Sequence, residues 1–221
     1  MTIFATSMTI EPTNIMEAIA RQHLRESIET KQRLLLTAIS AIVRTGDRIA
    51  DALSRGGKVL LCGNGGSAAD AQHIAAELVI RYRSQVVRPA LPAIALTVDP
   101  SLMTAGGNDI GFDNVFARAV EALGVKGDVL IGISTSGKSE NVRRAIEVAK
   151  GKGIVCIGLL GGDGGPIAPL CDDVVIVPSS ITAHIQECHI TVGHIWCSII
   201  EARLYPDLVS QAGLTVKESE L

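Results

Sequence analysis

Aromatic side chains are scarce in this sequence: one Trp, two Tyr and three Phe in 221 residues. An excess of charge is missing as well, since 20 basic and 23 acidic residues leave a net charge of -3. A basic surface interleaved with stacking rings is the usual means of holding nucleic acid, so no nucleic-acid partner is expected. Long hydrophobic runs are also absent. Each stops after about eight residues, against the ~20 that cross a bilayer, and no membrane partner is expected. The five cysteines (Cys62, Cys156, Cys171, Cys188, Cys197) include no C-x-x-C pair, and Cys62 and Cys156 sit in apolar runs that read as strands. Buried free thiols suit a reducing compartment. The start, MTIFATSMTIEPTNIMEAIA, lacks the basic opening and unbroken apolar stretch of a secretory signal. A cytoplasmic protein with a frayed first dozen residues is expected.

What the chain does have is material for a core. Apolar residues make up 47% and charged residues 19%, a balance that excludes disorder for all but the tips. The length fits one compact domain with a helical extension. From Asn14 onward, Ile15, Ile19, Ile28, Leu35, Ile39, Ile42, Ile49 and Leu53 follow a helical period, which predicts one long helix or two in sequence. Between Lys58 and Pro178 the pattern changes to short apolar runs, KVLLCG, AIALTV, DVLIGIS, GIVCIGLL and DVVIVP. Such runs suit parallel strands buried on both faces, and the helical stretches between them are long enough for crossovers. The fold class predicted is α/β, a three-layer sandwich with a five-stranded parallel sheet. A long final helix should end near Tyr205, ahead of Pro206. The expected organisation is a helical extension over residues 1–57, the α/β domain over 58–205 and a tail over 206–221.

In such a sheet, ligands bind beyond the carboxyl ends of the strands. The loop Cys62-Gly63-Asn64-Gly65-Gly66-Ser67 leads into a helix for which Ser67 is the expected N-cap. Its glycines allow close backbone approach, and a helix start offers N–H groups to an anion or a sugar oxygen. It matches neither the dinucleotide nor the NTP glycine pattern, and alone it reads as an ordinary strand-to-helix turn. It has company. The run Ser134-Thr135-Ser136-Gly137-Lys138-Ser139 places four hydroxyls and a glycine at another helix start, which is a phosphate cradle in outline. Metal-capable side chains form a third feature. His73 and Glu77 are i and i+4 on one helix face, and the final helix carries Gln186, Glu187, His189 and His194. Gln186 and His194 are eight residues apart, roughly 12 Å of rise, so by plain helix geometry His189 is the better-spaced companion of Gln186.

The segments CGNGGS, RYR…RPALPAIAL, GND, GDVLIGISTSGKSENV and IQECHITVGH resemble, in that order, those of the sedoheptulose 7-phosphate isomerases, which have the sugar isomerase (SIS) fold. The resemblance covers about residues 16–205. It implies that Ser134, Thr135, Ser136 and Ser139 hold a sugar phosphate, that Asn64, Gly65, Gly66, Ser67 and Asp99 line the sugar, and that His73, Glu77, Gln186 and His194 bind zinc, one ion per subunit. Glu77 and Gln186 would also touch the substrate. The implied activity is isomerisation of sedoheptulose 7-phosphate to D-glycero-D-manno-heptose 7-phosphate through an enediol, the first step of bacterial heptose biosynthesis. Glu77 would be the base and His194 the acid. Many such isomerases have an acidic residue three positions before the glutamine, where this chain has Ala183. The chain also resembles non-catalytic SIS proteins that bind the replication initiator DnaA, but those lack the glutamate and the last histidine of the metal set. A sugar-phosphate-sensing regulator would need a DNA-binding module, and the residues before Lys58 are too few and too weakly basic for one. Apolar helical faces that a five-stranded sandwich cannot cover, together with the resemblance, imply a homotetramer with sites between subunits.

Overall fold

The computed structural model describes residues 12–214, and the expected frayed tip lies outside them. The N-terminal helical pattern resolves into two helices, α1 (Pro12–Thr37) and α2 (Ile39–Ser54), which part at Ala38. There follow β1 (Val59–Gly63), α3 (Gly66–Val79), β2 (Ala93–Ala95), α4 (Pro100–Asp109), α5 (Val115–Leu123), β3 (Val129–Ser134), α6 (Glu140–Gly151), β4 (Val155–Gly161), β5 (Asp173–Val177), α7 (Thr182–Leu204) and α8 (Pro206–Gln211). Short 3₁₀ turns stand at Phe112–Asn114 and Gly165–Leu170. Of the segment 206–221, the first six residues are thus helical, and Val209 is buried.

The five strands pair in parallel in the order β2-β1-β3-β4-β5. This is the α/β sandwich read from the apolar runs. β1 and β3 are buried at every position, as a sheet covered on both faces requires. One core lies between the sheet and the α2, α3 and α7 layer, with Ile42, Ile49, Ile74, Val192 and Trp196 among its members. The other joins Leu60, Leu130 and Cys156 to Phe116 of α5 and Ile146 of α6. The Trp196 indole N–H donates to Ile42 O at 3.2 Å and to Thr45 Oγ1 at 2.9 Å, which ties α7 to α2. A Cβ on Gly46 would stand 2.8 Å from Ile199 Cδ1, so the glycine sets how closely these two helices approach.

Chain order reverses between β1 and β3, because β2 lies on one side of β1 and the later strands run off the other. Loops beyond the carboxyl ends of two such strands diverge and leave a crevice between them, the favoured ligand position in an open parallel sheet. The loops after β1 and β3 are the glycine loop and the serine loop.

Candidate active site

The glycine loop turns on Gly65, whose φ of +56° suits a residue without a side chain, and α3 begins at Gly66. Gly65, not Ser67, therefore stands at the N-cap position. Ser67 lies in the first turn and is buried, with its amide donating to Asn64 O at 3.0 Å. Asn64 exchanges two amide hydrogen bonds with Asn141 of α6, at 2.9 and 2.8 Å. That pair ties the glycine loop to the start of α6. Sequence reasoning assigned no role to Asn141, although it lies within the quoted SENV stretch. Gly66 faces α7, and a Cβ there would come within 2.3 Å of Gln186 Nε2. The absence of a side chain at Gly66 is what admits the Gln186 amide to this end of the sheet.

The serine loop divides its hydroxyls. Ser134 and Ser139 bond each other at 2.9 Å, and Ser139 precedes α6 as its N-cap without a side-chain cap bond. Thr135 and Ser136 line a cavity of about 200 Å³, with Lys138 and Gly162 on one side and Ser179, Ser180 and Thr182 on the other. A phosphate cradle at this loop, as the sequence leads one to expect, would also have Lys138, Ser179, Ser180 and Thr182 on its wall. Asp99 has a different place. It caps α4, accepting the Leu102 N–H at 2.9 Å.

His73, Glu77 and His194 converge, with one ligand atom from each lying within 4.8 Å of the others. His73 Nε2 stands 3.1 Å from Glu77 Oε1, and His194 Nε2 lies 3.5 Å from the same oxygen and 3.3 Å from His73 Nε2. Two helices make this possible. Gly193 lets Ile74 of α3 press against α7, since a Cβ there would be 2.8 Å from Ile74 Cδ1, and their chain neighbours His194 and His73 are thereby set side by side. Tyr82 stacks on the His194 ring with centroids 5.8 Å apart. The buried Cys197 thiol donates to Glu77 Oε2 at 3.5 Å, and burial together with that carboxylate pushes the thiol pKa up. His189 is not part of the cluster. It is buried with Nε2 at 3.0 Å from Leu160 O, and burial lowers its pKa to about 4.

A sequence model described as the SIS domain matches residues 22–161, more than half of the chain. The phosphoheptose isomerase of Chlorobaculum tepidum is 53% identical over 186 residues, covering 84% of this chain and 89% of that protein. The chain belongs to the phosphoheptose isomerase family of SIS-domain proteins. The Nitratiruptor phosphoheptose isomerase is 64% identical over 151 residues, 68% of this chain and 80% of that one. Among solved structures, the Neisseria gonorrhoeae phosphoheptose isomerase has 44% identity and a TM-score of 0.79, covering 85% of this chain and 99% of that chain. The Francisella tularensis phosphoheptose isomerase has 39% identity and a TM-score of 0.80 over 84% and 97% of the two chains.

One further feature of this phosphoheptose isomerase fold was not singled out from sequence. Asp70, one turn before His73, has a buried carboxyl oxygen without a partner, and burial raises its pKa to about 6 against the lowering effect of His73. Its i−3 spacing from His73 was the available signal. The RYR…RP stretch also gains a physical account. Arg83 and Arg88 both pair with the buried Glu201 of α7, at 2.9 and 3.3 Å. Arg88 also donates to the main-chain oxygens of Glu77 and Leu78, at 2.7 and 2.9 Å. The end of α3 that carries Glu77 is thereby anchored to α7.

Proposed function

We propose that the protein isomerises sedoheptulose 7-phosphate to D-glycero-D-manno-heptose 7-phosphate. The observation that carries this reading is the convergence of His73, Glu77 and His194, one ligand atom from each within 4.8 Å of the others, in a chain whose serine loop also lines a cavity. Thr135 and Ser136, with Ser134 and Ser139 behind them and the Lys138 ammonium beside them, suit the phosphate. Asn64, Gly65, Gly66, Ser67 and Gln186 suit the sugar hydroxyls, and Asp99, at the N-cap of α4, is a further proposed sugar contact. Ketose-to-aldose conversion removes a proton from C1, passes through an enediol and returns a proton to C2, while the hydroxyl proton passes from O1 to O2. Glu77 is the proposed carrier of the carbon-bound proton, because its carboxylate is held in place between two imidazoles. His194 is the proposed partner for the oxygen protons, oriented by Tyr82.

The donor set fits a divalent ion. Two imidazole nitrogens and one carboxylate oxygen already lie close together, and a zinc site of this kind keeps a position open for water or substrate. His73, Glu77, Gln186 and His194 are the proposed ligands, with one zinc per subunit. When bound, the ion supplies Lewis-acid polarisation of the substrate oxygens. The same reading makes the protein a cytoplasmic homotetramer, with residues 58–205 as the SIS unit, 1–57 as its helical extension and 206–221 as a tail. No described helix is long and apolar enough to cross a membrane. The deciding experiment is turnover of sedoheptulose 7-phosphate before and after chelation and after zinc is restored. Aldose appearing only with metal present supports the reading, and its absence under every condition removes it.

A further inference from the structure

A second group of ligating side chains lies between α1 and the start of α7, apart from the residues placed in the active site. His23, His184 and Glu187 each bring one ligand atom within 4.8 Å of the others. We propose that His23 Nε2, His184 Nδ1 and a carboxylate oxygen of Glu187 form a second divalent-metal site of zinc type, which clasps α1 to α7.

The state of His184 carries the argument. Its ring is 1% exposed, and its Nε2 stands 3.3 Å from Glu26 Oε2. A carboxylate accepting the Nε2 proton fixes the tautomer and leaves a lone pair on Nδ1, which is the usual arrangement around a metal-bound histidine. That Nδ1 is buried and has no hydrogen-bond partner. It lies 3.9 Å from Glu187 Oε2, too far for a hydrogen bond but suited to a shared cation. His23 Nε2 is 3.2 Å from Glu187 Oε1, and the two imidazole rings have centroids 4.6 Å apart. Ligands at zinc–nitrogen distances of about 2.1 Å in tetrahedral array stand roughly 3.4 Å from one another, so little movement is required. The remaining neighbours are compatible. Gln22 donates to Glu26 at 2.8 Å, Ser27 donates to Glu187 Oε2, and Lys31 Nζ lies 3.5 Å from that oxygen. An ion taking Glu187 Oε1 leaves the Ser27 and Lys31 contacts in place. Two imidazoles and one carboxylate select zinc or a neighbouring transition ion over magnesium or calcium.

The test is zinc binding by the full chain, read by competition with a chromogenic chelator. His23 is half exposed, so His23→Ala should fold, and it is expected to lower the zinc bound per chain by one equivalent relative to the parent. To isolate the site, His73→Ala and His194→Ala are combined in one chain. This variant should still bind one zinc, with a thermal midpoint that rises on zinc addition, and both properties should vanish when His23→Ala is added. Glu26→Gln should weaken the binding by about 10–100-fold, as loss of a partner behind a ligating histidine does. Equal zinc content in the parent and His23→Ala, or zinc binding to the double variant that ignores His23→Ala, overturns the proposal.

Discussion

At the scale of single residues, the site's chemistry depends on what each side chain is denied. Glu77 has a histidine on either side and a thiol behind, and little room to move. Glu77→Gln keeps the shape, so turnover should collapse while the thermal midpoint stays near that of the parent. Isomerase rate, metal content and melting on one preparation check this, and a folded, metal-loaded variant with near-parental rate would pass the base role to His194. Gly66→Ala should cost activity for a different reason. Its Cβ would meet the Gln186 amide at 2.3 Å, so Gln186 must leave the site while the fold persists. A raised KM or lost metal in a variant that melts normally is the expected pattern. Ser136→Ala should weaken substrate binding by about 1–3 kcal/mol, the worth of one hydrogen bond to a charged phosphate, measured as KM and as competition by inorganic phosphate. The metal-capable residues His73, Glu77 and His194 were visible in the sequence because chemistry restricts which side chains can serve. Asn141 was not, because an amide pairing with another amide 77 positions away leaves no local pattern.

At the scale of elements, legibility followed hydrophobic period. β1, β3 and β4 are continuous apolar runs buried almost throughout, and their pattern survives any sequence-level reading. α4 escaped because it buries no residue completely, so no apolar stripe marks it. Its signature was only the Asp99 cap and Pro100 in the first turn. The spacing argument for His189 failed because helix geometry gives neighbours along α7 but not which face meets the sheet. Ion pairs fasten these elements to one another. Asp173 at the start of β5 is buried, which opposes ionisation. The hydrogen bond and charge of Arg44, helped by the Val174 N–H and Arg48, outweigh this and hold its pKa below the ordinary carboxylate value. A depressed native pKa contributes stability that is present above the unfolded value of about 3.9 and is lost as pH falls through the native one. Asp173→Asn should therefore melt earlier than the parent at pH 7, and the gap should shrink below about pH 4. Differential scanning across that range checks the sign. Glu201→Ala should be the costliest of these changes, about 3–5 kcal/mol in denaturant unfolding, because it leaves Arg88 buried without its counter-ion.

At the scale of the whole molecule, many apolar side chains of the first two helices remain exposed in the single chain. Ile15, Met16, Ile19, Leu24, Ile28, Leu35, Leu36, Ile39 and Val43 of the first two helices are all exposed. So much exposed apolar surface along two helices favours cover by another copy. Light scattering at micromolar concentration should give the mass of four chains, and Leu36→Glu should lower it. A monomer mass for the parent would end the tetramer reading. One further consequence rests on α7, which runs unbroken for 23 residues. It presents Gln186 to Gly66, His194 to Glu77 and Glu201 to Arg88 along a single rod. Each residue of a helix advances the axis by about 1.5 Å and turns it by roughly 100°. Deleting any one position between Gln186 and His194 would therefore swing every later contact about a quarter of the way round the rod while the earlier ones stayed in place. α7 can absorb changes of letter at its solvent-facing positions, but a single-codon insertion or deletion inside it would uncouple Gln186 from the histidine and the buried glutamate together.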